Sequence, residues 1–282
     1  MLTRTLSICV ALALMPTAFA QTTRPASTQP AATQPARTAN PAADGFDHEN
    51  SDPRAIELAD EVMHAMGGRE SWEMTRHLTW NFFGTRRHVW NRQTGDVRIE
   101  YTDRQTEDRI VILMNIKTDE GRAWRGDDEI VEAEARAAML RTGKTAWIND
   151  SYWMFMPYKL KDSGVTLKYK GEAELPDGRA ADVITLTFSE VGNTPNNKYD
   201  VYIARDTKLV EQWSFYRNAE DDTPGFTTPW GNWQKHGRIL LSDDRGPNRR
   251  HTDIAVFHEL PRRVYTDPAP VDIMSMDRRD VW

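Results

Sequence analysis

The feature that most constrains this chain is a change of period at Arg76. Upstream, Ile56, Ala59, Val62, Met63 and Met66 recur three or four residues apart, the spacing that gathers side chains on one face of an α-helix. Downstream, Leu78, Trp80 and Phe82 alternate with other residues, as do Val97, Ile99 and Tyr101. Alternation of this kind turns one face of an extended strand toward a core. It returns at Val165, Leu167 and Tyr169, at Ile184, Leu186 and Phe188, and around Trp213 and Phe215. Short turns separate these runs, so the strands pair antiparallel, since parallel pairing needs a long crossover each time.

Punctuation supplies the element order. Asp52-Pro53 suits a helix start and Gly67-Gly68 its end, with a further short turn over residues 70–75. Residues 91–95 read as the turn between the first two strands, and Ile110 to Ile116 as a central strand covered on both sides. A short strand near residues 122–125 carries Trp124. Asp127-Asp128 reads as the opening of a second helix with Ile130, Ala133, Ala137 and Leu140 on one face and Gly143 past its end. Turns are expected at Pro176-Asp177-Gly178 and Arg205-Asp206-Thr207, and weaker strands at residues 237–241 and 254–257. The sum is an α+β domain: a large curved antiparallel β-sheet, a half-barrel, with helices packed on one face.

The N-terminus carries different information. Arg4, an apolar run from Leu6 to Met15 and Ala18-Phe19-Ala20 have the form of a secretory signal over residues 1–20. The apolar run is too short for a membrane span, so a periplasmic or secreted location is expected. The one cysteine, Cys9, lies inside it, so a chain cleaved there has no thiol for disulfides, catalysis or zinc. Residues 21–50 repeat Thr, Gln, Pro and Ala and read as a disordered linker, leaving 51–282 as one domain.

The order of a signal, a helix, an antiparallel sheet and a helical insert before more strands resembles the LolA and LolB superfamily of lipoprotein carriers and receptors. The nearest local likeness is the hairpin from Tyr199 to Trp213, turning at Asp206-Thr207 with Leu209 opening the return strand. Met156-Pro157-Tyr158-Lys159-Leu160-Lys161-Asp162 is also similar to a group of uncharacterised exported bacterial proteins. The resemblance implies a half-open β-barrel around an apolar cavity, and a binding protein with no catalytic residues to carry over.

Chemistry is otherwise sparse. A net charge of -6 argues against a nucleic-acid partner. The nucleophile-elbow, zinc-protease and phosphate-loop motifs are absent. None of the seven histidines lies three to five residues from another, so no cofactor or metal is expected. The acidic clusters suit helix caps and turns. What remains is 10 Trp and the run Tyr152-Trp153-Met154-Phe155-Met156. That run reads first as a buried crossing from helix to sheet, second as a lid over a cavity, and third as a membrane contact. The candidate cavity residues are Trp80, Phe82, Trp124, Trp153, Phe155, Met156, Tyr158 and Trp213, with Lys159 and Lys161 at the mouth for an anionic head group. Ordinary core packing and a solvated edge account for the same residues. The expected partner is a lipid or an acylated protein. The alternatives are a glycan-acting hydrolase or lyase, with sugar stacking on exposed rings at Trp230-Gly231-Asn232-Trp233, and a structural or interaction domain with a filled core.

Overall fold

The computed structural model describes residues 40–189 and 191–276, so the expected signal segment and most of the expected linker lie outside the described residues. Two helices come first, α1 (Pro53–Ala65) and α2 (Gly68–Met74). Six strands follow: β1 (His77–Phe82), β2 (Arg86–Asn91), β3 (Asp96–Thr102), β4 (Arg109–Asn115), β5 (Gly121–Arg125) and β6 (Asp128–Glu129). The long helix α3 (Ala133–Phe155) runs into a 3-10 turn, Met156–Lys159. Then come β7 (Val165–Glu174), β8 (Ala180–Phe188), β9 (Lys198–Ala204), β10 (Val210–Tyr216), β11 (Phe226–Pro229), β12 (Gly231–His236), β13 (Ile239–Asp244) and β14 (Thr252–Phe257).

All strand pairs are antiparallel. A seven-stranded sheet has the order β14-β1-β2-β3-β4-β5-β6, a five-stranded sheet the order β11-β10-β9-β8-β7, and β12 pairs with β13. The α+β architecture with curved antiparallel sheets is therefore present, not closed into a barrel, and divided between two main sheets rather than one. One core joins them: Leu78 and Trp80 of β1, Leu167 of β7, Val201 of β9 and Trp213 of β10 bury their side chains together with α1, α2 and the end of α3. The outer face of β1, β2 and β14 is covered by the C-terminal segment, through Val89, Phe257, Val264 and Ile273. Arg98 of β3, 1% exposed, pins that segment by donating to the carbonyls of Val264 (3.1 Å), Asp267 (2.6 Å) and Ala269 (2.7 Å). Among the described residues no helix is long and apolar enough to cross a membrane.

Four local expectations change. Strand β2 occupies residues left unassigned between the first strand and the turn at 91–95, so that turn joins β2 to β3. Its positions opposite Trp80 and Leu78 are His88 and Trp90, with Arg86 opposite Phe82, so polar residues on the core face erase the alternation. Second, α3 does not stop at Gly143. A Cβ there would lie 2.9 Å from Ile112 Cδ1, so this glycine marks close approach of helix to β4 rather than a helix end. The run Tyr152 to Phe155 is thus the last turn of α3, not a crossing strand. Third, Asp127 and Asp128 do not cap it. Glu132 does, its carboxylate accepting from the amides of Glu134 (3.0 Å) and Ala135 (2.6 Å), while Asp128 pairs beside β5. Fourth, residues 40–50, assigned by composition to the linker, lie along the domain. The Ala43 amide donates to the Lys161 carbonyl (2.9 Å), the Asp47 amide to that of Val165 (3.1 Å), and Phe46 is 6% exposed in the core.

Candidate ligand cavity

The end of α3 is shaped by Pro157. A helical carbonyl accepts from the amide four residues on, and for Trp153 that residue is a proline with no N–H. The orphaned Trp153 carbonyl instead accepts from Arg245 Nε (3.2 Å) and Nη2 (3.0 Å) and from His251 Nε2 (3.3 Å). Arg245 is 1% exposed, stacks over Trp230 at 3.5 Å and also donates to Ser242 Oγ (2.8 Å) and the Asp244 carbonyl (2.9 Å). Burial pushes its pKa down, and nearby Asp243 and Asp244 act in the opposite sense. The negative end of the helix dipole supplies further compensation for a buried cation that makes no carboxylate bridge. Burial, assisted by the Arg245 charge, lowers the His251 pKa to about 3, so the ring is neutral and donates from Nε2.

A second buried group ties α3 to β2. Asp150, fully buried, accepts from Arg86 Nε (2.7 Å) and Nη2 (2.8 Å), from His88 Nε2 (2.7 Å) and from Asn149 Nδ2 (2.9 Å). Burial pushes its pKa upward, but the bonds from His88 and Arg86 outweigh this and hold it below the ordinary carboxylate range. Burial likewise keeps His88 neutral. With Trp80 stacked on the imidazole at 4.7 Å, this cluster serves the fold rather than an open site.

Between these anchors one side of α3 faces a cavity of about 330 Å³. Trp147, Tyr152 and Trp153 form one wall, and Val165, Phe188 and Tyr199 of the five-stranded sheet the other. Lys159 and Asp162 stand on its rim, bridged at 2.7 Å, and Asn193 and Thr194 of the β8–β9 loop also line it. The Tyr152 hydroxyl and the Trp147 indole N–H are buried with no hydrogen-bond partner among the described residues. Burial raises the Tyr152 pKa well above its ordinary value, so the hydroxyl keeps its proton.

Of the residues proposed from sequence, Trp153 and Lys159 line this cavity. Trp80, Phe155, Met156, Tyr158 and Trp213 are at most 3% exposed and fill the core instead. Tyr158 is fixed there by donating to the carbonyls of Met66 (3.1 Å) and Leu240 (2.7 Å). Phe82 packs against Phe83 and His251. Trp124 sits in a separate small cluster with Val111 and Leu113 under the Arg122 guanidinium. Lys161 is bound to Asp60 (2.5 Å) and to the Asn40 carbonyl, with its side chain 9% exposed. Trp230, whose ring the sugar-stacking alternative needs exposed, is fully buried. The lining residues passed over in the sequence include Trp147, Ile148, Ser151 and Tyr152 of α3. They share one helix face, a pattern visible only once the helix is carried through Gly143.

No family model and no curated protein sequence matches the chain. Among solved structures it is similar to a DUF1329 family protein from Desulfovibrio piger, 11% identical over 76% of this chain and 98% of that one, with a TM-score of 0.41. It is also similar to the Mycobacterium tuberculosis lipoprotein LppX, 15% identical over 58% and 88% of the two chains, with a TM-score of 0.28. MucB from Pseudomonas aeruginosa, solved in complex with MucA, is 15% identical over 59% and 52%, with a TM-score of 0.23. At these similarities a functional reading has to rest on the cavity.

Proposed function

We propose that this is an exported, non-catalytic protein that takes one apolar chain, from a lipid or an acylated partner, into the cavity beside α3, in the manner of the LolA-like carriers. The observation that carries this reading is the aromatic-walled space of about 330 Å³ beside α3. At roughly 30 Å³ per water-sized group, it accommodates on the order of ten methylenes. Each buried methylene contributes about 0.8 kcal/mol, so eight supply about 6 kcal/mol before the cost of immobilising the chain. Export is supported by the signal-like segment at residues 1–20. A glycosidase reading needs two carboxylates flanking a bond, whereas among the described lining residues Asp162 is the one carboxylate.

The test is native mass spectrometry of the purified domain, then organic extraction and displacement of an apolar fluorescent probe by fatty acids. Bound lipid and displacement are expected. A protein that carries no lipid and releases no probe overturns the reading.

A further inference from the structure

The rim of the cavity constrains the polar end of its ligand, provided that it binds an apolar chain as proposed above. Two lysines near residue 160 suggest an anionic head group from sequence alone. In the folded protein Lys161 is committed to Asp60 and the Asn40 carbonyl, and it does not line the cavity. Lys159 does, but Asp162 stands beside it at 2.7 Å, and these two are the charged side chains among the described lining residues. Among its described residues the rim therefore presents one charge of each sign. A carboxylate head would gain Lys159 while facing Asp162, and an ammonium head the reverse. A head that carries both charges can replace each partner of the bridge with its own opposite charge. Both rim side chains are about one-third exposed, 34% and 39%, so they can turn to a ligand without uncovering buried charge.

We propose that the cavity recognises a single-chain lipid with a zwitterionic head, of the lysophosphatidylethanolamine type. The phosphate meets Lys159 and the ammonium meets Asp162. No covalent step is involved.

The experiment compares three ligands of equal chain length at pH 7 by titration calorimetry: dodecanoyl lysophosphatidylethanolamine, dodecanoate and dodecylammonium. The zwitterion is expected to bind about tenfold tighter than either ion. Asp162→Asn should shift preference toward dodecanoate, and Lys159→Gln toward dodecylammonium. Circular dichroism melting checks that each variant folds. Equal binding of all three ligands, or ranks that the rim substitutions do not move, overturns the head-group proposal and leaves the apolar-chain reading standing. Failure of all three to bind the folded wild type overturns both.

Discussion

Lowering the pH from 7 to 5 should destabilise this domain before its carboxylates titrate, because it buries neutral histidines. His251 is 1% exposed with its pKa lowered to about 3, and His77 is 3% exposed with its pKa lowered to about 4, both mainly by burial. His77 is held by Tyr265, whose hydroxyl lies 2.8 Å from its Nδ1. A depressed histidine pKa means that the unfolded chain takes up the proton first, near the ordinary 6.5, while the folded one does not until the pH approaches 4 or 3. Stability is therefore full above about pH 7 and falls as the pH drops through that window. Each unit of pH below 6.5 costs about 1.4 kcal/mol per histidine, so at pH 5 each contributes a loss of about 2 kcal/mol. The pair together removes about 4 kcal/mol from a domain whose total stability is on the order of 5–15 kcal/mol. His88, depressed in the same direction, adds to the slope. Urea unfolding at pH 7, 6 and 5 reads the effect directly. His251→Gln keeps an amide donor near the Trp153 carbonyl and does not titrate, so its stability should fall about 2 kcal/mol less than wild type over that range. Parallel pH dependences for the two proteins would refute the argument, as would a wild-type stability flat from pH 7 to 5.

Other substitutions test single contacts. Gly143→Val places branched atoms against Ile112 and should cost about 1–3 kcal/mol through overpacking, read as a lowered Tm. Asp150→Ala leaves Arg86 and His88 without their shared acceptor and should destabilise by about 3–5 kcal/mol in urea unfolding. Phe155→Ala, at a site 2% exposed, should cost about 3–5 kcal/mol, whereas Trp153→Ala should show its main effect as weaker displacement of an apolar probe by fatty acids. If the two substitutions act alike on probe binding and stability, the division between core and cavity wall is wrong.

The amino-acid sequence by itself determined the elements whose signals are local. The helix over residues 53–65 follows from apolar spacing between a proline start and a glycine stop. The hairpins turning at Asp177-Gly178 and Asp206-Thr207 follow from alternation broken by turn residues, and both appear as antiparallel pairs. That is enough to specify an antiparallel α+β domain, since period and punctuation act within a few residues of chain. Tertiary structure decided the rest. Gly143 reads as a helix end until Ile112 is seen to lie against it, because a glycine looks the same in sequence whether it bends the backbone or admits a neighbour. His88 and Arg86 hide a core strand, since their burial is balanced by Asp150, more than sixty residues away. Lys159 and Lys161 differ by two positions, yet one stands on the cavity rim and the other is sealed against Asp60. In Tyr152-Trp153-Met154-Phe155-Met156 the composition names an apolar surface but not its partner. The helix rotates Met154 and Phe155 into the core and leaves Tyr152 and Trp153 on the cavity wall. That division depends on the phase of a helix extending through Gly143 and on Pro157, which releases the Trp153 carbonyl to Arg245 and His251.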